Sequence, residues 1–246
     1  MKINREALLN VLQMCRPALA KKEIIEEAVR FIFTGDAVTA YNDELCVIHP
    51  FESDFQCSVN GEELYKILDG IKEDEVDIYV EDNQMKIKSK RTRAGLSTII
   101  GEKERVVNLV EKLRSAIKGR GFWKKLPDNF LEGVSLCMFS ASKDMTTGVR
   151  CCIATKDNKI YSTDSVRVSR FIMSESMSEL LIPARSAVEL VKYPVVNYGS
   201  SEGWSHFLTK DGIVFNCRVM IGEYPYVIER FFRKPENEIV IPEELG

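Results

Sequence analysis

Hydrophobic positions along the chain switch between two periods, and the switching repeats. A run patterned at every second residue gives way to a helix-starting residue, and then to apolar residues at helical spacing. This happens at MKINREALLNVL, QCSVNGEELYKIL, WKKLPDNFLEGVSL and LLIPARSAVELVKY. The last strand residues, Ile3, Val59, Leu126 and Ile182, lie 56, 67 and 56 residues apart. Recurrence at a nearly fixed interval points to a duplicated strand-helix unit. Asn4 and Asn60 are placed to cap helices through their side-chain oxygens. Pro127 and Pro183 suit a first helical turn, where no amide partner is lost. Glu6, Glu62, Glu63 and Asp128 follow near the positive helix end.

Between these helices the chain reads as β. VRFIFTGDAVTAYNDELCVIHPF alternates, with turns expected at Gly35-Asp36 and Asn42-Asp43. EVDIYVEDNQMKIKS is a hairpin pattern around Asp82-Asn83. VRCCIATKDNKIYSTDSVRVSRFIM repeats the first segment, with turns expected at Asp157-Asn158 and Thr163-Asp164-Ser165. FLTKDGIVFNCRVMIG repeats the second around Asp211-Gly212. The expected fold class is therefore α+β, with two domains, each carrying two helices on two mainly antiparallel sheets. Domain one is placed at 1–101 and domain two at 122–233. Residues 102–121 lie between them, and Val106, Leu109, Val110, Leu113, Ala116 and Ile117 form one apolar stripe there. That stripe predicts a helix, either packed on one domain or serving as a partner-contacting or interface helix.

Residues 234–246 read as a linker and the start of something further. Ile241-Pro242-Glu243-Glu244-Leu245 matches Leu126-Pro127-Asp128-Asn129-Phe130 type for type, 59 residues after Ile182. It reads as the opening of a third domain.

Composition narrows the chemistry. The 246 residues are 45% hydrophobic and 29% charged, with net charge −3, the balance of a soluble globular protein. No apolar run reaches a membrane span, and the N-terminus lacks a signal-peptide core, so a cytoplasmic location without membrane contact is expected. The seven cysteines form no C-x-x-C and the two histidines, His49 and His206, belong to no motif. Buried structural thiols, no metal and no cofactor are expected. No phosphate-cradling loop, nucleophile-histidine pair or carboxylate dyad is legible, so no enzyme is expected.

The strings REALLNVLQ, FIFTGDAVTAYNDEL, LST, YSTDSVRVSRF, LLIPARSAVELVK and VFNCRVMIGEYPYV, in this order and spacing, resemble the bacterial β sliding clamp, the processivity subunit of DNA polymerase III. The resemblance spans nearly the whole chain. It implies the DNA-clamp fold: a ring of six similar domains around duplex DNA, helices lining the hole, tethering a polymerase without catalysis of its own. It implies sequence-independent contact with DNA, self-association into a ring, and a polymerase and clamp loader as partners. Lys22, Lys143 and Arg185 match basic DNA-contacting positions, and Lys21, Lys66, Lys72 and Lys192 are further candidates. Glu62 and Glu63 stand where some members carry basic residues, so weaker DNA contact is expected from that helix. The domain-two loop carries DMTTGV where the family often has aromatic residues. A groove for an apolar partner peptide is implied at Val149, Thr163, Arg167, Val168, Pro225 and through Arg230. The ring would close from two three-domain chains or three two-domain chains. The competing expectation is a clamp-like interaction module or truncated paralogue that binds replication proteins without closing a ring.

Overall fold

The structure is a computed structural model and describes residues 1–20, 26–99, 105–119 and 121–232. The N-terminal half contains β1 (Lys2–Asn4), α1 (Arg5–Cys15), β2 (Arg30–Phe33), β3 (Ala37–Tyr41), β4 (Leu45–Pro50), β5 (Cys57–Asn60), α2 (Gly61–Gly70), β6 (Glu75–Glu81), β7 (Gln84–Lys88) and β8 (Arg93–Ile99). Helix α3 (Arg105–Ala116) follows. The C-terminal half contains β9 (Lys124–Lys125), α4 (Phe130–Cys137), β10 (Cys152–Thr163), β11 (Val168–Pro183), α5 (Ala184–Leu190), β12 (Val195–Ser201), β13 (Trp204–Thr209) and β14 (Val214–Arg218). A 3₁₀ segment, Tyr226–Phe232, closes the described chain.

The caps form as the sequence predicts. Asn4 Oδ1 accepts from Ala7 N at 2.9 Å and Asn60 Oδ1 from Glu63 N at 3.1 Å. The prolines sit earlier than expected. Pro183 is the N-cap of α5 rather than its first helical residue. Pro127 opens a preceding turn, its carbonyl accepting from Phe130 N at 3.0 Å. Helix α4 starts only where Phe130 and Val134 can be buried completely. The turns at Asn42-Asp43, Asp82-Asn83 and Asp211-Gly212 carry positive φ, 67° at Asp43, 53° and 57° at Asp82 and Asn83, and 85° at Gly212. Two consecutive positive values make the Asp82-Asn83 turn the kind whose twist suits a hairpin. At Asp157 (φ 53°) the register of β10 against β11 breaks. Thr155 pairs with Leu180 before the break, and Lys159 with Ile172 after it.

All strand pairings are antiparallel among the described residues. One sheet runs β1-β6-β7-β8-β5-β2-β3-β4-β14-β13-β12-β9, and β10-β11 form a second. The halves therefore share a sheet, joined where β14 pairs with β4: Val214 with Ile48, Phe215 with Val47, Asn216 with Cys46, Cys217 with Leu45. Strand alternation sends these residues to opposite faces. Leu45, Val47, Phe215 and Cys217 enter the large core with Leu8, Leu12, Leu64 and Leu68 of α1 and α2, and with Phe130, Val134, Ala187 and Leu190 of α4 and α5. Cys46, Ile48 and Val214 face the other side, where Val110 and Leu113 of α3 pack with Ile32, Tyr41 and Trp204.

Helix α3 is thus not confined to one half. Its buried residues join a cluster that holds side chains of both halves, on the face of the sheet away from the large core. Val110 and Leu113 are buried and Leu109 and Ile117 partly so, while Ala116, expected in the same stripe, is exposed. Arg114 fastens the helix by an ion pair to Asp36 and a 3.3 Å hydrogen bond to the Thr34 hydroxyl. Leu113→Ala is expected to cost about 2–3 kcal/mol, read as a lower urea midpoint.

All seven cysteines are free and buried. Burial pushes Cys46, Cys137 and Cys217 up to about 12, which removes the thiolate needed for reactivity.

Candidate nucleic-acid interface and peptide groove

Helices α1, α2, α4 and α5 bury their apolar stripes in the one large core, α4 and α5 also packing on the β10-β11 ribbon. Their outward residues define the first candidate surface. Lys66 on α2, Lys72 just beyond it and Lys143 after α4 are exposed and form no ion pair among the described residues. Arg185 at the start of α5 is instead paired with Glu44, a link across the seam. Lys192 donates to Glu189 at 2.7 Å. Lys21 and Lys22 lie outside the described residues.

One cation on this face carries no motif. Arg16 donates to both carboxylate oxygens of Glu62 at 2.8 Å and stacks over Tyr65 at 4.8 Å. The pairing holds the Glu62 carboxyl below the usual carboxylate range and raises the guanidinium. Glu62 is therefore half of a bidentate pair that joins the end of α1 to the start of α2. Glu6, Glu63, Asp69 and Glu132 are further acids on these helices. Among the described residues the cations and acids of these helices are close to balance.

The second surface lies on the β10-β11 ribbon. Thr163 is buried, and its hydroxyl donates to Arg167 O at 2.7 Å while accepting from Ser165 N at 3.1 Å. Asp164 accepts from the backbone amides of Arg167 and Val166, at 2.7 and 3.0 Å, and from the Arg167 guanidinium at 2.9 and 2.6 Å. These bonds, the Arg167 amide foremost, pull its pKa to about 2. The guanidinium so fixed sits 4.6 Å over the Phe139 ring. Val149 and Val168, both half-buried, pack on a cluster of Cys151, Cys152, Ala154, Tyr161, Leu181, Tyr224 and Ile228. Gly222 passes so close to Val149 that a Cβ there would lie 2.7 Å from Val149 Cγ1. Exposed apolar side chains occur in the same segments: Phe139, Val166, Ile221 and Val227.

Val149, Thr163, Arg167 and Val168 therefore belong to one neighbourhood. Pro225 lies half-buried between Tyr224 and Tyr226, its carbonyl accepting from Ile228 N at 3.1 Å. Arg230 is exposed and stacks only on Phe231 among its described contacts. Sequence reasoning missed the groups that hold this segment down. The Tyr226 hydroxyl donates to Glu179 at 2.7 Å, and its ring packs against Tyr161 under Lys156. Glu229 accepts from Lys159 at 2.8 Å and Arg170 at 2.9 Å, which, Lys159 first, lowers its pKa to about 2. These partners lie 59 and 70 residues away, so no local pattern announces them.

Glu229 is ionised down to low pH in the folded chain, whereas an unfolded glutamate gains its proton near pH 4.5. Its contribution is complete above that pH and fades as pH falls towards about 2. Glu229→Gln is expected to speed tryptic cleavage after Arg230 up to about fivefold, the worth of a partly exposed ion pair.

Among the described residues no group of three or more His, Cys, Asp or Glu could hold a metal, and no helix is long and apolar enough to cross a membrane.

No sequence-family model matches the chain, and neither does any curated protein. Solved structures do. The DNA polymerase III subunit β of Pseudomonas aeruginosa is similar with TM-score 0.76 and 18% identity, over 96% of this chain and 68% of that one. The β subunit from the DNA polymerase of Streptococcus pyogenes gives 0.78 and 16%, over 95% and 67%. The Helicobacter pylori β clamp, solved bound to a DNA ligase peptide, gives 0.76 and 14%, over 97% and 70%. The chain spans about two thirds of the length of these proteins. With its duplicated strand-helix units, its shared sheet and its four helices on one large core, the chain has the α+β fold of the DNA polymerase III β subunit, the sliding-clamp fold.

Proposed function

We propose that this chain is a non-catalytic sliding clamp that takes part in a ring around duplex DNA and tethers a replicative polymerase. Its clamp domains would be 1–101 and 122–233. The observation that carries the reading is the clamp fold over at least 94% of the chain. A ring need not grip what it encircles, so a weakly charged lining is sufficient. Lys66, Lys72, Lys143 and, where Glu44 releases it, Arg185 would meet phosphates, with Lys21, Lys22 and Lys192 beside them. Such contacts are sequence-independent and salt-sensitive. The groove around Val149, Thr163, Arg167, Val168 and Pro225 would take an apolar peptide from a polymerase or clamp loader. Exposed apolar residues in the same segments, Phe139, Val166, Ile221 and Val227, support that reading. A cytoplasmic location fits these partners.

A second reading draws on the charge balance of the helical face. Arg16, Arg185 and Lys192 are each occupied by a carboxylate, which favours an interaction module that binds replication proteins without closing a ring.

Retention on DNA separates the two. A ring is expected to stay on nicked circular DNA through gel filtration at salt that strips phosphate contacts, and to be lost after linearisation. Equal behaviour on circular and linear DNA overturns the ring. At low salt, replacing both Lys66 and Lys143 by Glu is expected to lower the slope of log affinity against log salt by roughly 0.9 per lost contact.

A further inference from the structure

We propose that Glu44 is a built-in competitor for DNA phosphate: it holds the Arg185 guanidinium in a contact across the seam, and the seam and DNA are alternative uses of that one cation. The inference rests on the DNA reading and deepens it by naming what limits contact at Arg185.

Glu44 sits on the turn between β3 and β4, and that turn is braced from both halves. Asp43 takes its positive φ of 67°. Asn42 N donates to Leu45 O at 3.0 Å, and Asn42 Oδ1 accepts from Leu45 N at 2.9 Å and from Glu44 N at 3.3 Å. From the N-terminal half, Asn42 Nδ2 donates to the carbonyls of Pro17 and Leu19, at 3.2 and 3.4 Å. From the C-terminal half, Arg218 N donates to Glu44 O at 2.8 Å and Arg218 Nε to Asp43 O at 3.3 Å, with its guanidinium 4.5 Å over the Trp204 ring. None of these bonds uses the Glu44 carboxylate. The turn therefore fixes where the carboxylate stands, and the carboxylate pairs with Arg185 at the start of α5.

The pair is open to displacement. The Arg185 side chain is 49% exposed and that of Glu44 40%. An ion pair so open to water stabilises little, and its guanidinium can be reached from solvent. The seam does not depend on it: β4 remains paired with β14, and the Tyr193 hydroxyl still donates to Met14 O. A phosphate presents the guanidinium fork with the same two-oxygen geometry as a carboxylate and with comparable strength. A phosphate arriving at Arg185 must therefore replace Glu44, and the carboxylate it displaces stays beside it on the braced turn. Arg185 contributes less to DNA affinity than an unpaired cation in its place, and the difference is set by one acid of the other half.

The test is a double-mutant cycle of Glu44→Gln and Arg185→Gln, read as affinity for a fluorescent linear duplex over a salt series. Glutamine keeps the size of the side chain and leaves the backbone bonds of the turn in place. Glu44→Gln is expected to raise affinity about twofold to fivefold at low salt. It is also expected to steepen the slope of log affinity against log salt by up to about 0.9, one further phosphate contact. In the Arg185→Gln background the same change is expected to do neither. An equal gain in both backgrounds is a general charge effect and overturns the competition. So does the absence of any gain from Glu44→Gln in a chain that binds duplex, and that result leaves the DNA reading standing. Absence of duplex binding in all four proteins overturns the DNA reading and the competition with it.

Discussion

Phe215→Ala is expected to destabilise the chain by about 3–5 kcal/mol, the cost of deleting a buried aromatic ring from a core. For a chain of this size that is a fall in melting temperature of roughly 10 °C or more. Phe215 is completely buried, its backbone pairs with Val47 across the seam and Phe207 within the C-terminal half, and its ring lies 4.9 Å from that of Tyr193. Tyr193 in turn donates its hydroxyl to Met14 O in the other half. The cavity would open where two links between the halves converge, so its effect reaches beyond local packing. Urea unfolding is expected to show a lower midpoint and two resolved transitions, because the weakened seam lets the two parts of the shared core open separately. Phe215→Leu, which keeps much of the volume, is expected to cost less and to retain one transition. A loss below about 1 kcal/mol for the alanine variant would show that the halves are held together chiefly by their backbone pairing.

The periodic parts of this architecture are legible in the chain, because local chemistry writes them. Asn4 and Asn60 cap helices because their side chains reach amides three residues on. The Asp82-Asn83 and Asp211-Gly212 turns are announced by residues that tolerate positive φ. The shared sheet is not legible. Strand β4 and strand β14 are separated by more than 160 residues, and nothing in LCVIHP or VFNCR names its partner. The alternation of both strands predicts burial on two faces, but only the fold shows that one face meets α1 and α5 and the other meets α3. Site residues divide in the same way. Thr163, Arg167 and Val168 sit in one string and stay together because a single turn, organised by Asp164, holds them. Glu229 and Tyr226 are found only when the β10-β11 ribbon brings Lys159, Arg170 and Glu179 beneath them. Charge is the least legible property. Arg185 and Lys192 read as free cations until Glu44 and Glu189 are placed beside them.

Gly133→Val is expected to cost about 3 kcal/mol, with a fall in melting temperature of roughly 6–12 °C. A glycine inside a helix ordinarily lowers its stability relative to alanine, so its presence in α4 calls for a steric cause. A Cβ at position 133 would lie 2.4 Å from Phe171 Cδ1 and 2.7 Å from Ile160 Cδ1. Phe171 is half-buried and can swing outward, whereas Ile160 is completely buried and cannot. The helix would have to retreat from the ribbon. Alanine tests the balance directly: its gain of about 1 kcal/mol in helix propensity opposes an overpacking cost of about 1–3 kcal/mol, so its net effect is expected to be small and unfavourable. The larger consequence is positional. The ribbon that receives α4 also carries Thr163, Arg167 and Val168, and Asn129 at the start of α4 accepts from Ser174 N at 2.9 Å in β11. Displacing α4 therefore shifts the helical face and the groove together. If the groove takes a partner peptide, Gly133→Val weakens that binding severalfold without touching a groove residue, and Gly133→Ala weakens it less. Equal peptide affinity in all three proteins, measured by calorimetry below their melting ranges, would show that the ribbon holds its shape independently of the helix beneath it.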